Sequence, residues 1–144
     1  MKKRILLLPM FLVGLLFTIT SFMQLGGPQI EFKKEVHDYG KLKYGGNGES
    51  TFEFTNTGTA PLIITKATAP CNCTVPSYPK EPIPPGGKGA ITVKYNTKIA
   101  GPINKSITIL SNATNDPSKI IRIKGSVNPA PDGDAPVNTG GPRN

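Results

Sequence analysis

The only two cysteines of the 144-residue chain, Cys71 and Cys73, are separated by a single asparagine. In an extended strand both side chains point to the same face, with their Cα atoms roughly 6.5–7 Å apart. A disulfide requires Cα atoms roughly 4.4–6.8 Å apart, so a Cys71–Cys73 bridge needs a kink at Asn72. A bridge over so short a loop is strained and easily reduced, which is typical of a redox bond.

Two other interpretations of the cysteine pair stay open. Two thiolates at this spacing suit Cu(I), which accepts few sulfur ligands, so Cys71 and Cys73 are candidate metal ligands. Zinc would require two further ligands, and His37 is the only histidine. Alternatively, the cysteines are partly buried thiols that pack a sharp bend. We expect no cofactor, and copper is the alternative.

No other residue pattern predicts catalysis. His37 precedes Asp38, but adjacent residues of a strand face opposite sides, and no serine or cysteine is placed to complete a triad. The chain also lacks a glycine-rich phosphate loop and a paired-carboxylate motif. We therefore predict that the protein is not an enzyme and that His37 is a surface or turn residue.

The N-terminus has the form of a secretory signal. Lys2, Lys3 and Arg4 precede an apolar run over residues 5–23. A run of about 20 apolar residues also suffices to cross a bilayer, so a retained membrane anchor is the alternative to cleavage. Either way, we expect the rest of the chain to be exported to the periplasm or cell envelope.

The basic charge of the chain lies partly in this signal. The chain has 17 Lys and Arg against 9 Asp and Glu. Removing the three charges before the apolar run leaves 14 against 9, a net charge of +5. That value is ordinary for a soluble domain, so we expect no nucleic-acid partner.

The remaining chain reads as short β-strands separated by turns. Phe52 and Phe54 alternate with polar residues, and Ile91, Val93 and Tyr95 do the same. Turn residues recur about every 8–12 positions, which predicts an all-β, antiparallel, Ig-like β-sandwich of about seven strands. The predicted segments are a signal or anchor helix at 1–24, a linker at 25–29, the sandwich at 30–127 and a disordered tail at 128–144.

Some details of this sandwich are also predicted. Residues 37–42 (HDYGKL) read as a turn, and the proline-rich segment after the cysteines reads as a crossover between the two sheets. The inward-facing residues are predicted to be Ile30, Phe32, Val36, Tyr39, Phe52, Phe54, Leu62, Ile64, Ile91, Val93, Tyr95, Ile107, Ile109, Ile121 and Ile123.

Four sequence features resemble a known family. They are F-x-F-x-N-T-G at Phe52–Gly58, C-x-C-T at Cys71–Thr74, a Pro-Gly turn before Gly89–Tyr95, and Ser111-Asn112. Together they resemble the bacterial exported domain family of unknown function numbered 1573, which is similar to Hydin-type immunoglobulin-like domains. The resemblance covers about Glu31–Val127 and implies an Ig-like sandwich in an exported protein, without an activity.

Many relatives in that family carry Ser before the first cysteine and Gly between the two, where this chain has Pro70 and Asn72. Asparagine tolerates the left-handed conformation, so we expect the turn geometry to be kept.

These observations predict a non-catalytic binding or structural module of the bacterial cell envelope. Its partner would be a protein or another envelope component, contacted through loops or an exposed edge strand. Contact with a membrane is expected only through an uncleaved N-terminal segment. The alternative is a small redox or Cu(I)-handling protein that acts through Cys71 and Cys73.

Overall fold

The computed structural model describes residues 26–131, which form eight strands in two four-stranded sheets. Sheet A has the order β1-β3-β6-β5, and sheet B has the order β2-β8-β7-β4. The strands are β1 (Ile30–Phe32), β2 (Val36–Leu42), β3 (Glu49–Asn56), β4 (Ile64–Thr68), β5 (Thr74–Ser77), β6 (Lys88–Tyr95), β7 (Gly101–Ser111) and β8 (Ser118–Val127). The predicted all-β sandwich is confirmed.

The predicted signal or anchor helix lies outside the described residues, as does the tail beyond residue 131. Within residues 26–131, no helix has the length and apolar character needed to cross a membrane.

One strand pair departs from the predicted antiparallel arrangement, because β2 pairs with β8 in parallel. The other pairs of described strands are antiparallel. The chain leaves sheet A after Phe32 and continues from Val36 at the edge of sheet B, where it runs alongside β8.

The prediction that residues 37–42 form a turn was therefore wrong, because they lie within β2. The strand carries few apolar residues, and a register shift between Asp38 and Lys41, with Gly40 at φ 61°, interrupts its alternation. An edge strand with weak alternation is easily mistaken for a turn.

The core between the sheets matches most of the predicted inward set. Val36 is the clear exception, since it is 39% exposed, and Tyr39 is only partly buried. Ile83, in the proline-rich segment, is buried because its backbone forms a β-bridge with Leu62. The other buried apolar residues absent from the prediction are Ile103, Ala113 and Val127.

The strand directions place the loops at two ends of the sandwich. One end, called the N-terminal end, holds residues 26–29 and the connections 57–63, 78–87 and 112–117. The other, called the cysteine end, holds 43–48, 69–73, 96–100 and the chain after Val127. Residues 26–29, predicted as linker, bond to the first of these connections: Gln29 C=O accepts from Thr57 N–H at 3.1 Å.

Asn56 connects three segments at the N-terminal end. Its side chain is fully buried, and Nδ2 donates to the carbonyl oxygens of Ala60 at 2.8 Å and Ile83 at 2.9 Å. Its Oδ1 accepts from Gly58 N–H at 3.0 Å and Gln29 N–H at 3.3 Å. One amide side chain thus replaces backbone pairing where the chain is irregular.

Candidate functional site at the cysteine end

The two cysteines lie where the chain crosses from sheet B to sheet A, between β4 and β5. Their sulfur atoms are joined in a disulfide, and their Cα atoms are 5.2 Å apart. Both cysteines are partly buried, whereas Asn72 between them is exposed.

The kink that brings the cysteines together is a turn. Thr74 N–H donates to Cys71 C=O at 3.3 Å. Asn72 does not use the left-handed conformation that asparagine tolerates, since no non-glycine residue in the described part of the chain has a positive φ. A turn of this kind shortens the Cα distance into the disulfide range without that conformation.

The position at which the chain crosses between the sheets also differs from the prediction. The proline-rich segment was predicted to cross between the sheets, but it joins β5 to β6, which are neighbours in sheet A. Prolines restrict β5 to the edge of that sheet, and the crossing falls on the short segment that contains the cysteines.

The cysteine turn is held against the sandwich from two sides. Cys73 packs against the core, and its C=O accepts from Asn96 N–H at 2.8 Å. The buried Thr74 places its Oγ1 3.7 Å from the Cys73 sulfur and 4.0 Å from the Cys71 sulfur. The turn is therefore positioned by β6 and the loop that follows it.

That same loop also binds the β2–β3 loop. Gly45 N–H donates to Thr97 C=O at 3.0 Å, and Thr97 Oγ1 donates to Gly46 C=O at 2.6 Å. Tyr39 supports the β2–β3 loop from inside, since its hydroxyl donates to Gly48 C=O at 2.7 Å. Three loops at the cysteine end thus form one hydrogen-bonded surface, which the sequence pattern did not reveal.

His37 and Asp38 do not form a catalytic pair. His37 is half-buried, with its ring 4.6 Å from that of Tyr39, while Asp38 pairs with Lys124 at 3.3 Å. Burial lowers the pKa of His37, and Lys34 lowers it further against the opposing effect of Asp38. The hydrogen bond from Gly40 N–H lowers the pKa of Asp38, and the hydrogen bond from Lys124 lowers it further. Each residue thus has a structural partner of its own.

The two predicted metal candidates, Cys71 and Cys73, are joined to each other in the disulfide. Within the described part of the chain, no three His, Cys, Asp or Glu side chains lie close enough together to hold a metal ion. Ligation by Cys71 and Cys73 alone would first require reduction of the disulfide.

The edges of sheet A offer few free backbone donors. Cys73 C=O faces β6, so the alternation along β5 turns Thr74 and Pro76 toward the free edge. Thr74 N–H is already bonded to Cys71, and proline has no N–H. At the opposite edge, the Asn115 amide bonds both Ile30 N–H at 3.0 Å and Ile30 C=O at 2.9 Å. Strand addition is thus disfavoured at both edges.

A shallow hollow of about 900 Å³ lies on the outer face of sheet A, toward the N-terminal end. The Lys33–Glu53 ion pair, at 3.1 Å, lies along it, and neither a histidine nor a cysteine lines it. The hollow is thus a depression in a charged sheet face, remote from the cysteines.

Solved structures of other proteins share this Ig-like β-sandwich fold. A protein of unknown function from Porphyromonas gingivalis W83 is 19% identical with a TM-score of 0.64, covering 76% of this chain and 51% of that one. The PapD-like domain 7 of human CEP192 is 11% identical with a TM-score of 0.59, covering 72% and 87%. The chain thus spans about half the length of the Porphyromonas protein.

A secreted serine protease, VesC from Vibrio cholerae, is similar over 72% of this chain but only 24% of its own, at 13% identity and a TM-score of 0.53. At such identities the similarity shows the fold alone.

The family match is more specific. The chain belongs to the family described as "Protein of unknown function (DUF1573)", which matches residues 30–127, the whole sandwich from β1 to the end of β8. No curated protein matches the chain.

Proposed function

We propose that this protein is an exported, non-catalytic binding module of the bacterial cell envelope, with a protein or another envelope component as its partner. The observation that carries the proposal is the surface of three loops at the cysteine end, held together by backbone hydrogen bonds. Loops positioned by a rigid sandwich are a common site of recognition. A preformed surface also loses little conformational entropy on binding.

Two further observations support a binding role. Among the described residues no three His, Cys, Asp or Glu side chains cluster, and His37 and Asp38 contact different partners, Tyr39 and Lys124. Pro76 and Asn115 occupy backbone positions at the two edges of sheet A, which disfavours strand addition to that sheet.

The binding role is tested by crosslinking the tagged full-length protein in its own bacterium and isolating it at several salt concentrations. We expect a reproducible partner that Asn72→Trp removes, because this exposed position lies at the cysteine end. Thr57→Trp, exposed at the N-terminal end, is the matched control and should keep the partner. Recovery of nothing above background, or an unchanged partner with both variants, overturns the proposal.

Export is a separate part of the proposal and rests on the basic start and apolar run of residues 2–23. Mass spectrometry of the N-terminus, with fractionation of the same cells, distinguishes the two forms. A new N-terminus near residue 24 indicates a cleaved signal, and an intact one in the membrane fraction indicates an anchor. A cytoplasmic, uncleaved protein contradicts export.

A second candidate function is thiol–disulfide exchange at Cys71–Cys73, favoured by a disulfide that lies in a surface turn. A dithiol protein would transfer two electrons and two protons to this bond, so that its own thiols become a disulfide and both cysteines become thiols. The reduced pair would supply two sulfur ligands to Cu(I).

Thiol titration in a graded dithiothreitol buffer, with and without Cu(I), tests the second function. We expect both thiols to appear together under mildly reducing conditions. A disulfide that resists reduction in the folded protein, together with no Cu(I) uptake after forced reduction, rules this function out.

A further inference from the structure

Acidic side chains in the half of the sandwich nearest the cysteines are already paired. Asp38 forms an ion pair with Lys124 at 3.3 Å, and Glu49 forms one with Lys94 at 3.4 Å. The register places no other acid of the described strands in this half, so both acids of residues 26–131 that lie there have a cation.

Four lysines in the same half have no ion-pair partner among residues 26–131. They are Lys41, Lys43, Lys98 and Lys105, and the first three are exposed. Lys43 and Lys98 lie on the two loops that Gly45 and Thr97 join by a hydrogen bond. The cysteine end therefore presents positive charge on a preformed surface.

The other half of the molecule differs because acids are interspersed among its cations. Glu31, Glu35, Glu53, Glu81 and Asp116 belong to strands or connections there. Lys119 contacts both Glu35 at 2.6 Å and Asp116 at 3.3 Å, which raises its pKa. The N-terminal half thus carries five acids among its cations, whereas the described part of the half nearest the cysteines carries two, Asp38 and Glu49.

The basic surface also has apolar and aromatic parts. Lys43 and Tyr44 line a hollow of about 290 Å³ together with Asn128, Pro129 and Pro131. Ile99, in the loop after β6, is 45% exposed. Lysines beside aromatic, proline and aliphatic groups match the mixed chemistry of a polypeptide better than that of a uniform polyanion.

We propose that the cysteine end binds an acidic segment of a protein partner, with its carboxylates at Lys41, Lys43 and Lys98 and an apolar side chain beside Tyr44. This inference deepens the proposed binding function and depends on it. Residues 26–29 enter the sandwich at the opposite end, so an N-terminal anchor would direct the lysines away from the anchoring membrane. The lipid headgroups of that membrane are therefore not the occupant.

The test uses fluorescence anisotropy with the full-length protein and a labelled glutamate-rich peptide that contains one tyrosine and two leucines. Charge reversal in K43E/K98E should weaken binding by about tenfold or more, since two attractive contacts are lost and each reversed charge repels the peptide. K34E/K88E is the matched control, because both lysines are exposed, have no ion-pair partner among residues 26–131 and lie outside the cysteine end. It should change binding by less than about twofold.

Two further probes separate other anions from an acidic polypeptide. Dextran sulfate represents a uniform polyanion, and phosphatidylglycerol vesicles represent a lipid surface. Binding of either probe without binding of the peptide overturns the inference, as does equal weakening by the two charge-reversal pairs. If crosslinking recovers a partner that K43E/K98E still binds, this inference fails while the proposed binding function stands.

Discussion

Asn56 lies in the F-x-F-x-N-T-G signature, and its replacement should destabilise the sandwich more than any substitution of an exposed asparagine. The side chain makes four hydrogen bonds, to the backbone groups of Ala60, Ile83, Gly58 and Gln29. Asn56→Ala removes all four and leaves buried or half-buried backbone groups without these partners. At about 1 kcal/mol for each bond, the free energy of unfolding should fall by about 4 kcal/mol.

That loss is a large share of the roughly 5–15 kcal/mol that holds a domain folded. With a urea dependence of about 2 kcal/mol per molar, the midpoint of unfolding should fall by about 2 M. Equilibrium urea unfolding followed by circular dichroism measures this shift. Asn47→Ala is the matched control, because exposed Asn47 makes one hydrogen bond, to Glu49 N–H at 2.9 Å.

Asn56→Asp separates hydrogen bonding from shape. One carboxylate oxygen would replace Nδ2 and face the carbonyl oxygens of Ala60 and Ile83, so burial and repulsion raise the pKa of the new carboxyl group in the folded state. If the folded pKa lies above the unfolded value of about 3.9, the stability of the variant relative to wild type is greatest below pH about 3.9. Its stability relative to wild type should fall as pH rises through the folded pKa.

Two outcomes would refute this account of Asn56. The first is an Asn56→Ala midpoint within the range of Asn47→Ala, which would mean that water or rearranged backbone satisfies the four groups. The second is an Asn56→Asp variant whose deficit does not depend on pH, which would mean that its carboxylate has left the buried position.

Three further predictions concern the cysteine turn, sheet packing and pH. Replacing Cys71 and Cys73 together by serine should lower the free energy of unfolding by about 1.5 kcal/mol in urea, since the closed loop is so short; a loss above about 3 kcal/mol contradicts this. Gly89→Ala should cost about 1–3 kcal/mol by thermal unfolding, because the added Cβ lies 2.5 Å from Phe54 Cζ; an unchanged midpoint would show that Phe54 moves freely. Burial lowers the pKa of His37, so the stability that its neutral ring contributes is complete above pH about 6.5 and is lost as pH falls. His37→Gln should therefore reduce the change of the unfolding midpoint with pH between pH 5 and 8. An unchanged pH dependence refutes the effect.

Much of the fold could be predicted from local pattern. Alternation places Phe52 and Phe54 in the core, and the same rule works for Ile91 and Val93. It fails at Val36, which is 39% exposed, because β2 is an edge strand with a register shift. Ile83 was missed for the opposite reason: it has no strand pattern and is buried through a single bridge to Leu62.

The sequence by itself determined the class of fold, the presence of one pair of closely spaced cysteines and an N-terminus of signal form, because each depends on residues near one another in the chain. Only the tertiary structure decided that β2 runs parallel to β8 and that the cysteine turn shares an end with Lys43 and Lys98. Those relations depend on which distant strands pair. Pairing is set by packing between sheets and by side chains such as Asn56, whose partners lie up to 27 residues away.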